Sequence, residues 1–141
     1  MQGKGKILGL DYGTKRIGVA ISDADKTMTF PRDAMVYKDI SEVIRKLHLM
    51  CETDNVQKIV IGLPIEMDGQ MGASARAAME FGSDLGKTIP GITVEYFDER
   101  LSTAAAQRMM SGAGITAKEQ RSLKDSVSAQ LILEGYLGSL R

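Results

Sequence analysis

Acidic residues at three places carry the chemistry that this sequence could do. Asp11 closes the apolar run Ile7-Leu-Gly-Leu10, and Asp98 and Glu99 close a second run over residues 92–97. Asp125 opens a face that continues through Ala129, Ile132, Leu133, Tyr136 and Leu140 at helical spacing. A carboxylate at the end of a buried strand is costly unless it is paired, hydrated or bound to a metal. Carboxylates gathered together repel one another. A hard divalent cation removes that cost, and Mg²⁺ favours a few carboxylates together with water and phosphate oxygens. Two such ions, about 4 Å apart, can activate a water and stabilise the leaving oxygen in phosphodiester cleavage. The plainer alternative is that Asp11 caps its own turn through backbone N–H groups and that the acids are unrelated. Eighteen acidic residues supply many coincidental triples. Strand alternation puts Asp98 and Glu99 on opposite faces and does not choose between them.

The elements that must position these acids follow from apolar spacing. Residues 6–10 and 16–22 read as two strands around a turn at Tyr12-Gly-Thr-Lys-Arg16. The first is apolar on both faces, as a central strand is. Residues 27–37 read as a third strand, with Pro31 marking an edge or an interruption. Residues 40–51 form a helix with Ile40, Val43, Ile44, Leu47 and Met50 on one face and Asp39 or Ser41 as cap. His48 and Cys51 lie near that face as packing residues. A buried strand at 58–64, a turn-rich loop to Gly72, a helix at 73–87 and a strand at 92–97 come next. A helix capped by Ser102 or Thr103 runs through Met110, and a last helix spans 118–140. The order is β-β-β-α-β-α-β-α-α, an α/β chain. The crossovers at 40–51 and 73–87 imply parallel pairing of the first, fourth and fifth strands. Ligands gather at the carboxyl ends of such strands, where Asp11 and Asp98/Glu99 stand.

Composition narrows the partners. The length of 141 residues fits one compact domain over 1–141. No apolar run is long enough for a membrane span, and the N-terminus lacks a signal-peptide pattern. One cysteine excludes a disulfide within the chain, and one histidine excludes the usual Cys/His zinc site. Lys plus Arg total 18, equal to Asp plus Glu, so contact with nucleic acid must come from local patches. Lys15, Arg16, Arg100 and Lys124 flank the acids and are the candidate phosphate contacts. Residues 109–123, with Gly112 and Gly114, read either as a helix connection or as a flap that closes with Arg108, Lys118 and Arg121 against phosphates. A monomer and a homodimer are both compatible with the sequence.

Four blocks carry a family resemblance. Gly9-Leu-Asp-Tyr-Gly-Thr-Lys-Arg-Ile-Gly-Val-Ala20, Gly62-Leu-Pro-Ile-Glu-Met-Asp-Gly69, Asp98-Glu-Arg-Leu-Ser-Thr103 and Lys124-Asp-Ser-Val-Ser-Ala-Gln-Leu-Ile-Leu-Glu-Gly-Tyr-Leu137 resemble the signature blocks of the YqgF/RuvX family, in order and over nearly the whole chain. The resemblance implies an RNase H-like fold, a five-stranded mixed sheet with helices on both faces. It implies a nuclease of the bacterial cytoplasm that depends on Mg²⁺ or Mn²⁺. The family is described as nucleases that process the 5′ end of pre-16S rRNA and as candidate Holliday junction resolvases. Matched position by position, Asp11, Glu99 and Asp125 become the catalytic, metal-binding acids, with Asp98 in reserve. The related RuvC resolvases carry an acid at the end of the strand corresponding to residues 59–63, where this chain reads Ile61-Gly62-Leu63-Pro64. The strand-five acid must substitute for it. Ser102 and Ser128 replace the family's common Thr and Ala. Asp11-Tyr-Gly-Thr14 also resembles the first phosphate loop of actin-like ATPases, but those need a second domain for which 141 residues leave no room. A catalytically inactive nucleic-acid-binding module is a further alternative. The presence of all three acids argues against it, and metal binding through Asp11 would discriminate.

Overall fold

The computed structural model describes residues 5–101 and 117–140, with the side chains of residues 117–126 outside that description. The expected helix at 102–110 and most of the expected flap at 109–123, with Arg108, therefore lie outside the described residues. Within them the order is β1 (Lys6–Tyr12), β2 (Arg16–Ser22), β3 (Thr29–Val36), α1 (Ile40–Thr53), β4 (Val56–Leu63), α2 (Ala73–Thr88), β5 (Thr93–Asp98), a 3₁₀ turn (Glu99–Leu101) and α3 (Ala117–Ser139). The strands form one sheet in the order β3-β2-β1-β4-β5. β1 pairs antiparallel with β2 and parallel with β4, which pairs parallel with β5. The expected mixed five-stranded sheet is thus observed.

Strand alternation divides the core into two layers. Leu8 and Leu10 of β1 and Ile59 and Ile61 of β4 face α1 and α2, meeting Val43, Leu47, Ala78, Phe81 and Leu85. Ile7, Val60 and Phe97 face the other way and pack on Ala129, Ile132, Leu133 and Tyr136 of α3. β1 is apolar on both sides because helices cover both of its faces. A Cβ at Gly9 would lie 2.8 Å from Leu133 Cβ and 3.0 Å from the Ala129 carbonyl oxygen. Glycine there lets α3 lie directly on β1.

Several boundaries differ from expectation for visible reasons. β1 runs through Asp11, which pairs with Gly18, so this acid stands within the strand rather than after it. β3 begins at Thr29 because the Asp23 carboxylate accepts from the Thr27 and Met28 amides, at 2.8 and 3.1 Å, and draws both residues into the preceding turn. Pro31 is tolerated opposite Ala20 because β3 is an edge strand that needs no donor on its open side. Asp39 is the cap of α1, accepting from Ser41 N, and the helix continues to Thr53. Cys51 is buried as expected, whereas His48 reaches Glu52 at 3.1 Å one turn away. Leu140 departs from the expected α3 face. It lies beyond the end of the helix and is exposed. Near that end, Tyr136 Oη donates to Glu95 (2.9 Å) and accepts from Lys58 Nζ (2.8 Å), tying α3 to β4 and β5. Among the described residues no helix is long and apolar enough to cross a membrane.

Candidate active site

Asp11 has the same parity in β1 as Ile7 and Gly9, the residues that meet α3. Its side chain therefore leaves the sheet on the α3 side. On β5 the same side is taken by Glu95, which meets Tyr136, and by Phe97. Glu99 continues that parity into the 3₁₀ turn, while Asp98 shares the opposite parity with Tyr96, whose hydroxyl donates to the Met79 carbonyl of α2. Asp11 and Glu99 are consequently brought together, and their carboxyl groups share a hydrogen bond. Burial, then the negative charge of Asp11 and that hydrogen bond, push the Glu99 carboxyl from its ordinary 4.5 up to about 7, with Asp98 adding to the rise. Two such carboxyls can share one proton, and a cation can take that proton's place.

Between the two acids lies the end of β4. A Cβ at Gly62 would sit 2.9 Å from both Glu99 Cγ and Glu99 Oε1, and 2.5 Å from Ile132 Cδ1. The Glu99 side chain therefore lies back over the end of β4. Glycine at position 62 leaves the space that the carboxylate following β5 fills. The sequence shows the departure at Gly62 but not its reason.

The other expected site residues are placed unevenly. Asp98 faces Arg100, whose guanidinium grips it through Nη2 at 2.7 Å and Nε at 3.0 Å. Arg100 is thereby engaged within the protein, and its Nη1 also lies 3.4 Å from the Glu66 carbonyl. Lys15 is exposed at the β1–β2 turn, and Arg16 is half-buried at the start of β2, opposite Val36. Tyr37 was not among the expected site residues. Its hydroxyl donates to the Gly13 carbonyl at 2.6 Å and its amide to the Lys15 carbonyl at 3.1 Å, which fixes the turn that presents Lys15. Burial, then Tyr12, push the Tyr37 phenol up to about 12, so it stays a donor at neutral pH. Lys124 and Asp125 lie in α3, Asp125 one turn before Ala129, with their side chains outside the described part.

As a donor set, two adjoining carboxylates at strand ends suit a hard divalent cation, which replaces the shared proton. Among the described residues no group of three His, Cys, Asp or Glu could hold a metal. The described portion supplies two candidate ligands, Asp11 and Glu99, and Asp125 is the candidate third.

A family model described as "RuvX: Holliday junction resolvase" matches residues 5–139. The chain belongs to the RuvX family. A relative from Clostridium botulinum (strain Alaska E43 / Type E3), named "Putative pre-16S rRNA nuclease", is 42% identical over 136 residues, covering 94% of this RuvX chain and 96% of the relative. One of the same name from Mycobacterium ulcerans is 34% identical over 139 residues, covering 99% and 82%. Among solved structures, T. thermophilus RuvC in complex with a Holliday junction superposes with a TM-score of 0.59 at 9% identity, covering 96% of each chain. The fowlpox virus resolvase with Holliday junction DNA gives 0.57 at 12%, covering 96% of this chain and 98% of that one. These likenesses show that the RuvX chain has the RNase H-like fold of RuvC-type resolvases.

Proposed function

We propose that this protein is a divalent-metal-dependent nuclease of a single domain that hydrolyses phosphodiester bonds in the 5′-end processing of pre-16S rRNA, in the bacterial cytoplasm. The observation that carries the reading is the Asp11–Glu99 pair, which meets across the end of β4, with Gly62 leaving room for it. The names of the relatives supply the substrate. Asp11, Glu99 and Asp125 would hold Mg²⁺ or Mn²⁺, and the bound cations would supply an activated water and stabilisation of the leaving oxygen, as in two-metal phosphodiester hydrolysis. The chain's own part is to hold the acids on one face of a rigid sheet. Lys15 and Arg16, on a turn anchored by Tyr37, and Lys124 would meet the phosphates on either side of the scissile bond. Family membership also supports a second reading, resolution of four-way DNA junctions.

The test is cleavage of precursor rRNA and of a four-way DNA junction side by side, in Mg²⁺, with wild type and Asp11→Asn. The expected result is Asp11-dependent cleavage of the RNA. Preferential Asp11-dependent cleavage of the junction supports the second reading, and binding without cleavage of either makes the protein a nucleic-acid-binding module.

A further inference from the structure

Glu99 stands where the chain has just left the sheet, in a 3₁₀ turn of only three residues. A turn so short does not by itself hold a long side chain in one direction. The residues on either side of Glu99 are locked to each other. The Asp98 carboxylate accepts from the Arg100 backbone amide at 2.9 Å and closes the turn. It also accepts a fork from the same residue, Nε at 3.1 and 3.0 Å and Nη2 at 2.7 Å. Bidentate pairs of this kind fix orientation as well as supplying energy. The far side of the guanidinium, Nη1, reaches the Glu66 carbonyl at 3.4 Å. That carbonyl already accepts from Gly69 N at 2.8 Å, in a turn closed by Glu66 N donating to the Gln70 carbonyl at 2.9 Å. The β4–α2 loop is thus joined to the residue next to Glu99.

The pair is 41% exposed on the Arg100 side and 20% on the Asp98 side. Exposed ion pairs contribute little to stability. Its consequence therefore lies in what it orients. Arg100 meets Asp98 and the Glu66 carbonyl, and Glu99 between them lies over Gly62 toward Asp11.

We propose that Asp98 and Arg100 act as positioning residues: their two-point clamp aims Glu99 at Asp11 and ties the loop around Glu66 to the metal site. This deepens the nuclease reading and rests on its metal site. It gives Asp98 a role other than reserve ligand, and Arg100 one other than phosphate contact.

The experiment is calorimetric titration with Mn²⁺ alone, together with nuclease kinetics, on wild type, Arg100→Gln, Arg100→Lys and Asp11→Asn. Electrostatics alone predicts that removing a positive charge beside a cation site tightens Mn²⁺ binding. The clamp predicts the reverse, a loss of roughly tenfold or more in Arg100→Gln, the size found when partners that orient metal ligands are removed. The loss should fall on kcat, with KM for the nucleic acid nearly unchanged. Arg100→Lys keeps the charge without the fork and should not restore affinity; it also serves if Arg100→Gln does not fold. Unchanged or tighter Mn²⁺ binding in the Arg100 variants overturns the clamp. So does a raised KM with a flatter salt dependence, which would make Arg100 a phosphate contact. Asp11→Asn separates the two failures. If it leaves Mn²⁺ binding intact, the metal-site reading itself falls and the clamp with it; if it abolishes binding while the Arg100 variants bind normally, only the clamp falls.

Discussion

At the scale of single residues the site turns on Glu99 and Gly62. In the metal-free protein Glu99 ionises only near pH 7, against an ordinary 4.5. The folded state then binds more protons than the unfolded state between those values, so stability falls as pH rises through that window. Urea unfolding in a chelator, from about pH 5 to about pH 8, should show this decline. Glu99→Gln should flatten it, and Mg²⁺ should reverse it by binding only the folded state. A pH profile unaltered by Glu99→Gln would place the buried charge elsewhere. Gly62→Ala is the matching steric test. Its Cβ would meet Ile132 Cδ1 and both Cγ and Oε1 of Glu99, side-chain rather than backbone atoms, so the cost should fall within about 1–3 kcal/mol for overpacking. Displacement of Glu99 should nonetheless remove most cleavage. A variant equally active and weakened only in stability would show that Glu99 need not lie over β4.

The elements decide which acids can meet. α3 rests on β1 because Gly9 offers no side chain, and the same helix leads back to Asp125. Gly9→Ala would push a Cβ against Leu133 and the Ala129 carbonyl. We expect a loss of about 1–3 kcal/mol in chemical unfolding, with a fall in metal affinity larger than a uniformly weakened fold explains. At the other end of α3, Tyr136→Phe removes the hydroxyl shared by Lys58 and Glu95 but leaves their own contact at 2.6 Å. Thermal unfolding should register a loss of about 0.5–1.5 kcal/mol, the net worth of an ordinary hydrogen bond. Cleavage should persist, since this anchor stands at the end of the sheet away from Asp11.

For the whole molecule, balanced charge makes local placement the determinant of nucleic-acid binding. Lys15 is exposed on a turn held by Tyr37. Lys15→Ala should weaken binding about equally for all sequences and reduce the slope of log affinity against log salt by roughly one unit. An unchanged slope in filter-binding or anisotropy titrations would remove Lys15 from the interface.

Residue types and their spacing were enough to establish the strand–helix order, the centrality of β1, the parallel crossovers and the carboxyl-end address of Asp11 and Glu99. All of these follow from local periodicity and from rules of chain connection that act over short stretches. The choice between Asp98 and Glu99 was not legible. Alternation puts neighbours on opposite faces but does not say which face carries α3, and the answer came from Phe97 and Glu95 of β5 meeting α3, Glu95 through Tyr136, on the same face of the sheet. The purpose of Gly62 was hidden for the same reason, since the atoms that exclude a side chain there belong to residues 37 and 70 positions further on. Arg100 stood beside an acid in the sequence as a candidate phosphate contact; its grip on Asp98, two residues back, follows from the tight turn after β5, which periodicity does not register. Local pattern specifies what each strand and helix is, because those forces act between near neighbours. Only long-range packing decides which side chains face one another, because it alone fixes the face, the register and the space between them.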